Sequence, residues 1–118
     1  MKYIRTKDGI IYRMVQIGYG QYRAIAKNGN LLFGIEGKQA NTIEELCDEF
    51  VIEFKHSEEQ PLLHRTFGTL KEVYDFKNEH CKRCIIVSIK GAIWTDKGLI
   101  YVVKMNEKGE LELLWIKN

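Results

Sequence analysis

The sequence of 118 residues lacks several features that would assign it to a special class of protein. It has one proline and three cysteines, and an odd cysteine number argues against a secreted disulfide framework. Its longest apolar runs span four or five residues, far short of a membrane span, so no membrane partner is expected. No N-terminal segment resembles a secretion signal, which predicts a cytoplasmic protein. With 45% hydrophobic and 29% charged residues, the chain is predicted to be one globular domain, residues 1–118.

Catalytic motifs are also missing from the sequence. The only two serines, Ser57 and Ser88, lie outside the glycine-flanked turn that exposes a nucleophile. No His-Glu-x-x-His motif occurs, and strand-like residues follow Gly18 to Gly20 where a phosphate site would need a helix N-terminus. We therefore expect no enzymatic activity and no cofactor.

Glycine-containing turns divide both ends of the chain into strands. Asn28 and Gly29 form a strong two-residue hairpin signal, and Gly98 and Gly109 stand where a bulged hairpin needs a left-handed residue. The intervening runs are rich in Ile, Val, Tyr and Trp, as strands require. The predicted N-terminal meander has four strands, at about 3–6, 10–17, 21–27 and 31–36. The predicted C-terminal meander has three, at about 84–94, 99–105 and 111–117.

Two helices are predicted between these meanders. Apolar residues over 43–50 recur at helical spacing, and Thr42 with Glu45 forms a capping box. This helix is expected to continue directly into a short strand, 51–55. A second capping box begins a helix at about 69–79. The predicted class is α+β, an antiparallel sheet or small half-open barrel with two helices.

Charge is arranged in blocks that favour a binding function. The net charge of +2 combines +5 over residues 1–40, −6 over residues 41–60 and +3 over the remainder. One predicted protein-binding surface is the acidic face of the first helix, Glu44, Glu45, Asp48 and Glu49. The other, for protein or nucleic acid, is the basic N-terminal sheet, with Arg5, Arg13, Arg23 and Lys27. The simpler alternative is that each block is only a solvated face, and an exposed edge strand offers a route to a homodimer.

Strand alternation limits what the basic sheet can bind. Tyr12 and Tyr22 align with apolar residues and are predicted to face the core, which leaves Arg13 and Arg23 beside aliphatic side chains on the outer face. Such a mixture suits a protein contact better than an RNA platform, where exposed aromatic rings stack on bases.

Two cysteines separated by two residues raise the question of a metal site. Cys81 and Cys84 have the spacing of a zinc-binding pair, and the further candidates are His80, which adjoins them, and His64 and His56 upstream. A structural zinc site usually has a second pair of ligands, and the sequence lacks one. We therefore expect no metal, and buried structural cysteines are the simpler interpretation. Thioredoxin-type pairs open a helix, whereas Cys84 begins a strand-like run, which disfavours redox chemistry.

Three stretches of the chain resemble a group of small proteins of unknown function from Gram-positive bacteria and gut metagenomes, commonly found among phage and integrative-element genes. They are MKYIRTKDGI (1–10), KQANTIEELCDEFV (38–51) and GAIWTDKGLIYV (91–102). The stretch 54–84, with its cysteine pair, lies outside the resemblance.

Small accessory proteins of such elements often act by occupying a host protein. The resemblance therefore implies a non-enzymatic protein-interaction module of a phage or mobile element, with a host or phage protein as partner. An inhibitor of a host defence effector, such as a CRISPR nuclease, is the specific form it favours. The alternative is a small nucleic-acid-binding protein that uses the basic N-terminal sheet.

Overall fold

The computed structural model describes residues 2–114, and these form two antiparallel sheets and one α-helix. The four-stranded sheet has the order β3-β2-β1-β4, with β1 (Lys2–Arg5), β2 (Ile11–Gly18), β3 (Gln21–Ile25) and β4 (Lys38–Ala40). The five-stranded sheet has the order β6-β5-β7-β8-β9, with β5 (Glu49–Lys55), β6 (Leu63–Phe67), β7 (Ile85–Thr95), β8 (Gly98–Met105) and β9 (Leu111–Leu113). The helix α1 (Leu70–His80) lies between β6 and β7 in the chain.

Local turn and capping signals account for the elements closest to prediction. Gly98 and Gly109 adopt φ values of 103° and 82° in the turns between β7, β8 and β9. The backbone N–H of Glu72 donates to Thr69 Oγ1 at 3.2 Å, which caps α1 at its predicted start. β9 is described to Leu113, and residues 115–117 of the predicted last strand lie outside the described residues.

The predicted first helix is wrong, and so is the prediction of two helices between two meanders. Its cap does form, because the Glu45 N–H donates to Thr42 Oγ1 at 3.4 Å, but only a 3₁₀ turn over Glu44–Leu46 follows. The backbone is extended at Cys47, and β5 begins at Glu49. Phe50 to Ile52 are three consecutive buried residues, so this segment is apolar on two opposite sides and pairs as a strand with β7.

The predicted strand at 31–36 and the half-open barrel are also wrong. Leu31 forms only an isolated bridge with Ile25, and Gly34 then turns the chain with a φ of 70°. The fourth strand of the sheet is instead β4, which pairs with β1. The two sheets share no strand among residues 2–114, so they do not close towards a barrel. β6, which had no sequence prediction, pairs with β5.

Two of the three buried clusters lie on one side of the five-stranded sheet, and the third, of Ile4, Met14 and Ala24, lies on the four-stranded sheet. Leu70 and Val73 of α1 pack against Phe50, Ile52 and Ile89 at one end of that side. At the other end, the sheet packs against the 3₁₀ turn and the four-stranded sheet, through a cluster of Ile11, Ala40, Ile43, Leu46, Ile93, Val102, Val103 and Leu113. Because strand side chains alternate, the opposite side of the five-stranded sheet is covered neither by α1 nor by the 3₁₀ turn and the four-stranded sheet.

Candidate interaction surface

We call this opposite side the open face. Register places its side chains: Glu49 is opposite Ala92, Glu53 is opposite Ser88, and Ala92 is opposite Tyr101. Its small and aliphatic members are shielded by longer neighbours: Ala92 is fully buried although α1 and the four-stranded sheet pack on the other side of the sheet. The open face consists of Glu49, Val51, Glu53, His64, Thr66, Ser88, Lys90, Ala92, Trp94, Leu99, Tyr101, Lys104 and Glu112.

Trp94 is the largest exposed group on the open face. It is 55% exposed, yet its position is fixed from two directions. The indole Nε1 donates to Glu49 Oε1 at 2.9 Å, and the backbone N–H donates to Asp48 Oδ2 at 2.8 Å. An exposed aromatic ring that is already ordered loses little conformational entropy when a partner covers it.

Tyr101 and Lys90 extend this surface. The Lys90 ammonium lies 5.0 Å from the centre of the Tyr101 ring and 2.9 Å from Glu53 Oε1. Ser88 Oγ donates to the same carboxylate. The hydrogen bonds from Ser88 and then from Lys90 hold the pKa of Glu53 below its usual range, so the carboxylate is charged at neutral pH. The positive charge of Lys90 is therefore balanced by the Glu53 carboxylate within the open face.

Arg5 and Asp48, predicted as members of opposite binding surfaces, bind each other. Arg5 Nη1 donates to Asp48 Oδ1 at 2.8 Å, and Nη2 donates to Oδ2 at 2.9 Å. Nη1 also donates to the Leu46 carbonyl at 3.1 Å. The bonds from Arg5 are the main reason that the pKa of Asp48 lies below its usual value, with a further contribution from the Trp94 N–H. This bidentate pair connects the two sheets and supports the strand position of Trp94.

The other acidic candidates do not form one helical face. Glu44 and Glu45 are exposed on the 3₁₀ turn, whereas Glu49 is the first residue of β5 and accepts the Trp94 indole bond. The predicted acidic surface is thus divided, because the helix that would have aligned it does not form.

Part of the predicted basic surface is present on the four-stranded sheet. Arg13 is opposite Ile25, and Val15 is opposite Arg23, so the two arginines share one side with these aliphatic residues. Tyr12 and Tyr22 pack on the other side, against the cluster of Ile4, Met14 and Ala24. The Arg23 guanidinium lies 4.2 Å from the centre of the Phe33 ring, and Lys27 is exposed beyond the end of β3.

The predicted metal candidates are not brought together. Cys81 and Cys84 are joined in a disulfide, and the histidine beside them is His56, whose Nδ1 lies 3.5 Å from Cys84 Sγ. His64 lies on β6 opposite Glu53, and His80 ends α1. Within residues 2–114, no group of three or more His, Cys, Asp or Glu side chains is placed to hold a metal ion.

No protein-family model matches the chain, and comparisons with curated proteins and with solved structures give no match either. In the described part of the chain, α1 and the 3₁₀ turn are both too short to traverse a bilayer.

Sequence analysis missed Trp94 and Tyr101, although the signal was present. Trp94 is in phase with Lys90 on one predicted strand, and Tyr101 is in phase with Leu99 on the next, so side-chain alternation places each aromatic ring on one face of its strand.

Proposed function

We propose that this chain is a non-enzymatic protein-interaction module that binds its partner through the open face. The ordered and exposed ring of Trp94 is the observation that carries the proposal. Tryptophan, tyrosine and arginine dominate the residues whose truncation costs most at protein interfaces. Trp94 and Tyr101 lie on adjacent strands of one sheet face, so a partner can cover both at once.

The charges of the open face favour a protein over a nucleic acid. A nucleic-acid platform needs cations that neutralise phosphates. Here Lys90 is paired with Glu53, and a second carboxylate, Glu49, holds the Trp94 indole. A phosphate backbone laid across Trp94 would meet both carboxylates. Mixed charges beside aromatic rings are instead the composition of a protein interface.

The resemblance to phage and integrative-element proteins supports the partner class. We propose a host or phage protein, and specifically a host defence effector such as a CRISPR nuclease, whose activity this chain inhibits by occupying a surface. The open face needs no cofactor for this role, because occupation depends on shape and desolvation alone.

A comparison of variants in a pull-down tests the proposal. Tagged parent, Trp94→Ala and Tyr19→Ala proteins are used to capture partners from a Gram-positive host lysate treated with nuclease. Tyr19 is a matched control because it is a fully exposed aromatic residue at the tip of the β2–β3 hairpin. We expect the Trp94 variant to bind the captured partner about 30-fold more weakly, and the Tyr19 variant to bind as the parent does.

Two results would contradict the proposal. One is a partner that binds the parent and the Trp94→Ala variant equally well, provided that circular dichroism shows both to be folded. The other is binding that disappears with nuclease, shows a steep dependence on salt, and loses that dependence when Arg13 and Arg23 are changed to alanine. This second result would assign nucleic-acid binding to the four-stranded sheet.

A further inference from the structure

The turn between α1 and β7 contains a disulfide next to an imidazole. Cys81 directly follows α1 and is 3% exposed, whereas its partner Cys84 is half-buried. Nδ1 of His56 lies 3.5 Å from Cys84 Sγ. The ladder between β5 and β7 explains this contact, because its last pair, Lys55 with Ile85, places the residues that follow β5 beside those that precede β7.

We propose that Cys81, Cys84 and His56 form a redox-active dithiol–disulfide site that exchanges two electrons with dithiol compounds. This activity is separate from the open face. The bridge closes a ring of only four residues, and the stabilisation of a fold by a disulfide grows with the length of the loop that it closes. The elements on either side are already joined by the ladder of β5 with β7 and by Val73, which is fully buried. A chemical role is therefore more consistent with this bridge than a structural one.

Reduction begins at Cys84 because Cys81 is buried. A thiolate of the external dithiol attacks Cys84 Sγ, the bond between the two cysteines breaks, and Cys81 leaves as a thiolate that takes a proton from water. The second thiolate of the reductant then attacks its own sulfur in the mixed disulfide, and Cys84 leaves as a thiolate. The protein gains two electrons, and the dithiol becomes a disulfide. The reverse sequence oxidises the protein.

His56 stabilises the thiolate of Cys84. An imidazole next to a thiol accepts its proton, and the resulting imidazolium attracts the sulfur anion. Lys82 and Arg83 are exposed in the same turn and add positive charge. These groups stabilise the thiolate, as the positive end of a helix N-terminus does in thioredoxin-type pairs. The C-terminal end of α1, which disfavours anions, lies at Cys81, so Cys84 is the nucleophile of the reduced site.

A redox titration of the full chain tests the proposal. The protein is equilibrated with mixtures of reduced and oxidised dithiothreitol, its free thiols are alkylated, and the added mass is measured. We expect a reversible two-electron transition while circular dichroism reports the native fold. A bridge that opens only in denaturant would overturn the proposal. So would one equivalent of zinc in freshly purified protein with both thiols protected from alkylation, which would identify a metal site.

A histidine variant tests the role of His56 in the reduced protein. We expect His56→Ala to slow alkylation of Cys84 at pH 7 about tenfold, because the variant lacks the imidazole beside the sulfur. His64→Ala is the matched control, and its rate stays at the parent value. Cys47 is the internal reference, because burial raises its pKa to about 12 and keeps it protonated. Equal Cys84 rates in the parent and His56→Ala would refute the assignment of His56.

Discussion

The pair of Arg5 and Asp48 makes a measurable contribution to the free energy of unfolding. Its two partners lie 43 residues apart and connect the two sheets. The side chains are 21% and 34% exposed, so the pair is partly shielded from solvent. Hydrogen bonds to charged groups contribute about 1.5–3 kcal/mol when shielded, whereas exposed ion pairs contribute about 0.2–1 kcal/mol. We therefore expect Arg5→Ala to lower the free energy of unfolding by about 2 kcal/mol.

A double-mutant cycle isolates the interaction from the other losses. Asp48→Ala also removes the acceptor of the Trp94 N–H, so its single effect exceeds the contribution of the ion pair. Urea unfolding of the parent, Arg5→Ala, Asp48→Ala and the double variant gives the coupling energy, which we expect to be about 1–2 kcal/mol at pH 7. Lys71 and Asp75, an exposed pair at 3.1 Å on α1, provide the control cycle, with an expected coupling of about 0.3–0.5 kcal/mol.

The pH dependence of this coupling follows from the lowered pKa of Asp48. A carboxyl group whose pKa is lower in the folded than in the unfolded state stabilises the fold above the unfolded value. The coupling is therefore complete above the ordinary pKa of 3.8 and is lost as the pH falls through the lower folded value. A coupling energy at pH 7 that equals that of the control pair, or that does not decline in acid, would refute this reasoning.

Two further predictions concern local packing and capping, and both are checked by urea unfolding. Gly91→Ala lowers the free energy of unfolding by about 1–3 kcal/mol, because the added Cβ would overlap Val103 and lie 2.7 Å from Cys47 Sγ. Gly68→Ala is the control, because its Cβ meets only Glu72 at 3.6 Å, and its free energy of unfolding stays within about 0.5 kcal/mol of the parent value. Similar losses for both variants would contradict the packing argument. Thr69→Ala lowers the free energy of unfolding by about 0.5–2 kcal/mol because the helix cap is lost. If the cap is the cause, Thr69→Ser recovers most of this loss, since serine keeps the hydroxyl.

Elements with local signals were predictable, and elements decided by distant partners were not. The cap at Thr69 predicts α1, and the turn glycines predict the hairpins of β7, β8 and β9. The segment that begins at Thr42 has the same capping-box sequence, yet it continues into a strand because β7 offers pairing along the whole of β5. A helical stripe and a strand buried on both faces have similar apolar patterns over a few residues, and the tertiary partner decides between them.

The same limit applies to the sites. Single residues such as Trp94 and Cys84 are visible in the sequence, but the functions that we propose for them depend on neighbouring side chains that only the fold supplies. Glu49 lies 45 residues before Trp94, and His56 lies 28 residues before Cys84. Strand pairing between β5 and β7 brings both pairs together. Cysteine spacing therefore identified the pair, but the sequence alone does not show which histidine lies beside it.

The charge blocks, which first suggested a charged binding partner, have in part an intramolecular explanation. Arg5 belongs to the basic block and Asp48 to the acidic block, and their pairing removes one residue from each predicted surface. The 3₁₀ turn separates Glu44 and Glu45 from the strand that contains Glu49. Opposite charges in distant segments thus serve to dock the two sheets. Among the described residues, this docking leaves the open face uncovered. Carboxylates there hold an indole and an ammonium in place, so we propose the partner surface from its ordered aromatic rings rather than from net charge.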